Sequence, residues 1–194
     1  MIPAATASGT AAATHRSLAP WRLRRWWAGL ASVVLLTAVG VLLWAPGSTH
    51  AVLELRDGDS GEVLHRRPLE VGERFELHHT HSVTRRPVVE TFGVDGTTTL
   101  TLEGMVFDHP GPNLPTGPER FGERMTSFTT ADGVYRVDHH GYPIGRVTIR
   151  VGTPAVDHTL VFQDGSALRF LDLTRAGGAI ELEVVERSGR DGRD

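Results

Sequence analysis

Short stretches in which apolar and polar residues alternate fill the chain after residue 45 and predict an all-β domain. Successive side chains of a strand point to opposite faces, so such stretches bury one face only. Asp-Gly pairs at 95–96, 132–133 and 164–165 predict hairpin turns between neighbours. The candidate strands cover residues 51–56, 62–66, 74–81, 87–94, 97–103 extending toward 107, 127–130, 134–137, 146–151, 158–162, 167–171 and 179–186.

About ten short strands do not suit one flat open sheet, because such a sheet would expose apolar faces and unpaired edges. We therefore predict an antiparallel β-sandwich or barrel-like sandwich over residues 46–186. Residues 187–194 are polar and have no apolar anchor, and we expect them to form a disordered tail.

An uncharged apolar run occupies residues 26–44, ahead of the first candidate strand. As a helix it would be roughly 28 Å long, close to the ~30 Å hydrocarbon core of a bilayer, so we predict one transmembrane signal-anchor helix over residues 26–45. Residues 1–25 contain four arginines and no acidic residue, so we expect this basic tail to be disordered and to stay in the cytoplasm, with the rest of the chain exported. The alternative is a cleaved signal peptide ending near Thr49 or Ala51, which exports the domain as well.

The exported part is acidic and contains no cysteine. Sixteen of the 20 basic residues and all 23 acidic residues follow residue 45. This balance argues against nucleic acid as a partner. Without disulfides the domain must be held by its own core, for which about 149 residues are enough.

Residues 108–124 interrupt the alternation with four prolines and three glycines. Prolines lack the amide donor that a strand ladder needs, so we predict a long loop across the surface or one end of the domain. Loops of this length in a compact domain are usually functional or disordered, and the fixed φ of proline favours one ordered shape.

The hairpin over residues 74–94 holds the strongest departure from polar-out alternation. The pattern places His81 on the apolar face of the first strand and Glu90 on the apolar face of the second. A carboxylate in apolar surroundings is costly unless it is paired or neutral. We expect His81 to be its partner, with Arg85, Arg86 or an amide of the proline-rich loop as alternatives.

Ten histidines raise the question of a metal site, for which His79, His81, Glu90 and His109 are the candidates. No H-E-x-x-H motif is present, and the histidine pair at 139–140 is typical of an exposed turn. We therefore predict no metal and no cofactor. Nucleophile-elbow, phosphate-loop and dinucleotide motifs are also missing, so we assign no catalytic residue.

Several short motifs occur together in the hairpin and the proline-rich loop. They are His81-Ser82-Val83, Pro87-Val88, Glu90, Phe92, Phe107-Asp108 and Gly-Pro-Asn-Leu-Pro at 111–115. In combination they resemble the small bacterial family known as domain of unknown function 1850, over roughly residues 52–185. The chain departs from the family pattern at Thr84, where Glu is common, and in the loop, where small residues are more usual.

The resemblance implies a setting and no established reaction. Members of the family are frequently encoded beside TAXI-type TRAP transporters, which pair an exported solute-binding protein with a membrane permease. We expect a single-pass protein of the bacterial cytoplasmic membrane whose extracytoplasmic domain is an accessory or regulatory binding module for such a permease or binding protein. The expected ligand or partner contacts are His81, Ser82, Glu90, Gly111, Asn113, Leu114 and Pro115.

Two other functions stay open. One is a metal-assisted or acid/base hydrolase that uses His81 and Glu90 of the hairpin, together with His109 of the loop. The other is a purely structural His–Glu pair with no site at all.

Overall fold

A computed structural model of the protein describes residues 49–188, and its regular structure is β-strand apart from one short 3-10 helix. The predicted helix over residues 26–45 lies outside the described residues. Within residues 49–188 no helix has the length and apolar character needed to cross a membrane. The elements are β1 (Thr49–Asp57), β2 (Val63–Leu69), β3 (Arg74–Thr80), β4 (Pro87–Asp95), β5 (Thr99–Phe107), β6 (Arg120–Phe121), β7 (Arg124–Met125), β8 (Ser127–Ala131), β9 (Val134–Pro143), β10 (Val147–Arg150), β11 (Thr159–Phe162), β12 (Ala167–Arg169), the 3-10 helix (Phe170–Asp172) and β13 (Ala179–Ser188).

The strands form two large antiparallel sheets. One sheet has four strands in the order β10-β13-β1-β2, and the other has seven in the order β12-β11-β3-β4-β5-β9-β8. The short strands β6 and β7 pair only with each other. The apolar faces of the two large sheets contribute to one core, so the fold is the β-sandwich of the sequence prediction.

The main core lies between the two sheets. Leu53 of β1 and Leu182 of β13 are fully buried on one side, and Phe75 of β3 and Phe92 of β4 on the other. The rings of Phe75 and Phe92 stack with centroids 5.6 Å apart. Burial of each such side chain stabilises the fold by about 1.5–3 kcal/mol, so this core holds the domain without disulfides.

A smaller core lies farther along the same face of the seven-stranded sheet. It consists of Val88, Phe107 and Val137, and Leu114 of the proline-rich loop packs against it. The loop, rather than the second sheet, therefore helps to cover this part of the sheet. Glu90 lies in β4 between Val88 of the small core and Phe92 of the main core.

The outer face of the four-stranded sheet carries a buried carboxylate that sequence reasoning missed. Alternation points Glu54 away from the core, yet its side chain has no exposed area. Arg66 Nε donates to Glu54 Oε1 at 2.9 Å and Arg187 Nη2 donates to the same oxygen at 2.7 Å, while Arg56 binds Oε2. Burial by itself would raise the pKa of Glu54, but these arginines outweigh it and lower the pKa to about 2.

Three local predictions need correction. The proline-rich segment ends in the β6–β7 hairpin, because its prolines precede residue 120 and leave the following amides free to pair. The histidine pair at 139–140 lies inside β9: His140 has φ +55°, whereas His139 is buried and forms an edge-to-face contact with the Phe121 ring. Strand β13 continues to Ser188, two residues beyond the predicted domain end, by pairing with the start of β1.

Candidate functional site

His81 joins the β3–β4 connection to the proline-rich loop. Its Nδ1 accepts hydrogen bonds from the amides of Val83 at 3.3 Å and Thr84 at 3.1 Å. The ring proton therefore belongs on Nε2, which donates to the carbonyl oxygen of Pro112 at 2.9 Å. The residue is only 9% exposed, and both ring nitrogens have hydrogen-bond partners.

Two further contacts fasten the same loop. Arg86 donates two hydrogen bonds to the Asp108 carboxylate, one of them from Nε to Oδ1 at 3.0 Å. This ion pair lowers the pKa of the Asp108 carboxyl. Gly111 lies directly on the His81 ring: a Cβ added there would be 2.8 Å from Thr84 Cγ2 and 3.0 Å from His81 Cε1. Only glycine allows this approach without displacing its neighbours.

Glu90 does not pair with His81, contrary to the sequence prediction. The β3–β4 register places Glu90 opposite Leu77, and His81 falls beyond the end of the ladder. The nearest imidazole is that of His79, whose Nδ1 is 4.0 Å from Glu90 Oε1, too far for a direct hydrogen bond. Burial raises the pKa of the Glu90 carboxyl. No side chain of residues 49–188 donates a hydrogen bond to this carboxyl.

His79 packs against a second imidazole at the edge of the main core. Its ring centroid is 5.1 Å from that of His158, which in turn lies 6.1 Å from the Phe170 ring. Burial lowers the pKa of His79 to about 4, with smaller contributions from His158 and His81. Burial lowers the pKa of His158 as well, and both rings are therefore neutral near pH 7.

A cavity of about 570 Å³ opens beside these two rings. It lies between the β3–β4 connection and residues 151–158, which connect β10 to β11. Val151 and Val156 contribute apolar surface. Its polar lining includes His79, His81, His158, Ser82, Arg85 and Arg150.

The predicted contact residues divide between this cavity and the loop. His81 and Ser82 line the cavity, whereas Glu90 is not part of its wall. Asn113 is exposed with φ +66°, and Leu114 packs into the smaller core. Gly111 touches His81, and Pro115 follows in the same loop, partly buried.

The weaker metal candidates do not form a ligand set. His109 is exposed next to Asp108 in the loop. Over residues 49–188, no three histidine, cysteine, aspartate or glutamate side chains are grouped so that they could hold a metal ion.

His158 and Arg150 belong to the cavity but were missed from sequence. Both lie far from the hairpin along the chain, and antiparallel pairing of β11 with β3 brings His158 beside His79. The sequence does contain one indication of this loop. Gly152-Thr153-Pro154 is a turn-forming run between two predicted strands, and His158 follows shortly after it.

The arrangement is suited to binding rather than to proton transfer. His81 is fully occupied by internal hydrogen bonds, and a pKa of about 4 makes His79 a weak base near neutral pH. The two arginines and Ser82 supply donors on a cavity with an apolar wall, which is the usual composition of a small-molecule site.

Comparisons with curated proteins and with solved structures found no match. One family model does match, that of Domain of unknown function (DUF1850), over residues 75–168. This stretch contains the His81 hairpin, the proline-rich loop and the His158 side of the cavity, and it leaves β1, β2 and β13 outside. The resemblance drawn from the hairpin and loop motifs is thereby confirmed over residues 75–168, which match the DUF1850 family model.

Proposed function

We propose that this chain is an extracytoplasmic binding module, tethered to the bacterial cytoplasmic membrane by a helix over residues 26–45, that serves as an accessory or regulatory component of a TAXI-type TRAP transporter. Residues 81–86 and 111–115, here called the contact end, meet the permease or the solute-binding protein. The single observation that carries the binding role is the arginine- and histidine-lined cavity of about 570 Å³ at this end.

The rigidity of the contact end supports this role. His81, Arg86 and Gly111 hold two loops in one arrangement, so little conformational entropy is lost when a partner binds. Val83, in the centre of the β3–β4 connection, leaves 65% of its surface exposed. An exposed apolar side chain on a fixed turn is a suitable anchor for another protein.

A larger cavity, of about 680 Å³, is a weaker candidate. Its Arg67 is bound to Asp164 at 2.7 Å and lies 3.9 Å above the centre of the Phe162 ring. That charge is already satisfied within the domain, whereas Arg85 at the contact end has no acidic partner in residues 49–188.

The test is co-purification of the full chain with the TAXI-type TRAP permease and solute-binding protein of the same bacterium. Val83→Asp should abolish the complex. Val71→Asp is the matched control, because Val71 is 61% exposed in a turn at a different place and its replacement should leave the yield unchanged. Equal yields from both variants would remove the contact end as the interface, and no complex with the wild-type chain would refute the accessory role.

A further inference from the structure

The charge of the cavity beside His79 indicates the class of molecule that it takes, and this inference rests on the binding function proposed above. Arg85 and Arg150 both line the cavity, and none of the described residues in its wall is acidic. Two guanidinium groups with no opposing carboxylate give the cavity a positive potential, which attracts anions.

These two arginines differ from their neighbours in having no acidic partner. Arg86, one residue along the same turn, is neutralised by Asp108. The Arg85 side chain forms no hydrogen bond and no ion pair within residues 49–188. Arg150 donates only to a backbone oxygen, from Nη1 to Gly177 at 2.7 Å, which orients the guanidinium and leaves its other donors available.

Part of the cavity wall is apolar and preformed. The carbonyl oxygen of Val156 accepts the Thr80 amide at 2.7 Å, which ties the β10–β11 connection to the end of β3. A Cβ on Gly152 would lie 2.5 Å from Val156 Cβ, so the turn is closely packed. Val151 and Val156 can therefore receive an apolar group without rearrangement.

We infer that the cavity binds a small organic carboxylate, whose charged group is held by Arg85 and Arg150 and whose apolar part lies against Val151 and Val156. Guanidinium groups match the two oxygens of a carboxylate with paired hydrogen bonds. The neutral imidazoles of His79 and His158 provide flat ring surface for the body of the ligand. Inorganic phosphate would satisfy the arginines but would leave the apolar wall without a contact.

The experiment is calorimetric titration of the full-length chain, purified in detergent, with butyrate and benzoate as probes. Butyramide, which has the shape of butyrate without its charge, and inorganic phosphate are the comparison ligands. We expect saturable binding of both carboxylates and at least roughly tenfold weaker binding of butyramide and phosphate. Equal affinity for butyramide, or tighter binding of phosphate than of either carboxylate, would overturn the inference.

Matched arginine variants assign the binding to this cavity. Arg85→Gln and Arg150→Gln should each lower the affinity for butyrate by roughly 10-fold or more, because each removes a charge-assisted hydrogen bond. Arg136→Gln, at an exposed arginine outside the cavity, should leave the affinity unchanged. A double Arg85→Gln/Arg150→Gln variant that binds butyrate like the wild type, or a wild type that binds no carboxylate, refutes the carboxylate site. The Val83→Asp co-purification still decides the accessory role in either case.

Discussion

The imidazole Nε2 of His81 donates a hydrogen bond to the carbonyl oxygen of Pro112, 2.9 Å away, and so joins two loops that are 31 residues apart in the chain. The same ring receives the amides of Val83 and Thr84 on its other nitrogen. The histidine and the proline-rich loop, both predicted from the sequence to contribute contacts, therefore form one structural unit at the contact end.

Replacement of His81 by Ala should reduce the free energy of unfolding by about 2 kcal/mol, because two amides and one carbonyl lose their partner at a partly buried place. Urea denaturation followed by far-ultraviolet circular dichroism measures the change. His109→Ala, at an exposed loop histidine, should alter the stability by less than about 0.5 kcal/mol. Equal losses for both variants would contradict the role of His81 as a link between the loops.

Gly111→Ala should destabilise the domain by about 1–3 kcal/mol, since its Cβ would overlap Thr84 and His81. Gly117→Ala in the same loop is the control, because a Cβ at Gly117 meets no atom within 4 Å. Hydrogen exchange of amides in residues 111–114 should become faster in the first variant only. Unchanged exchange would mean that the loop does not depend on this close approach.

Glu54→Gln should lower the free energy of unfolding at pH 7 by about 2–3 kcal/mol, because three arginines lose the charge that they surround. The pKa of Glu54 in the folded protein, about 2, lies below the ordinary value of 4.5. The stabilisation by the Glu54 carboxylate is therefore complete above pH 4.5 and is lost as pH falls toward 2. Denaturant curves at several pH values measure it. Glu62→Gln, at an exposed position, should show no comparable loss, and similar curves for both variants would rule out a stabilising role for Glu54.

His79 should make the domain acid-sensitive. Its native pKa of about 4 lies below the ordinary 6.5, so in that interval the unfolded chain binds a proton that the folded chain does not. The contribution of neutral His79 to the free energy of unfolding is complete above pH 6.5. It should decrease by about 3 kcal/mol at most as pH falls toward 4. His79→Gln should flatten this part of the pH profile, whereas His109→Gln should not. An NMR titration of the His79 ring with a midpoint near 6.5 would contradict the expectation.

Replacement of Glu90 by Leu should leave the stability at pH 7 unchanged or raise it by about 1 kcal/mol. The carboxylate is only 24% exposed and its nearest imidazole nitrogen is 4.0 Å away, so its burial is not offset by a hydrogen bond. Thermal unfolding compares this variant with Glu62→Leu, which should show no gain. A loss of more than about 2 kcal/mol would instead support a structural His–Glu pair.

The bounds of most strands could be predicted because period-two alternation and turn residues act locally. Strands β4 and β5 differ from their predictions by only one or two residues at their ends. The β6–β7 hairpin was not predicted, since each of its strands has two residues and no alternation is visible over so short a length. The burial of Glu54 was also not predicted. Alternation gives its outward direction, but two of the arginines that cover it come from β2 and β13.

The amino-acid sequence by itself determined the all-β class, the position of the long loop and the family resemblance of residues 75–168, because these depend on local periodicity, on proline and glycine, and on motif residues. Only the tertiary structure decided which imidazole lies near Glu90 and which residues share a cavity. Register shifts of a single residue exchange the faces of a strand, and His158 reaches His79 only through the pairing of β11 with β3. Such long-range contacts follow from the packing of whole sheets, and local residue patterns do not determine them.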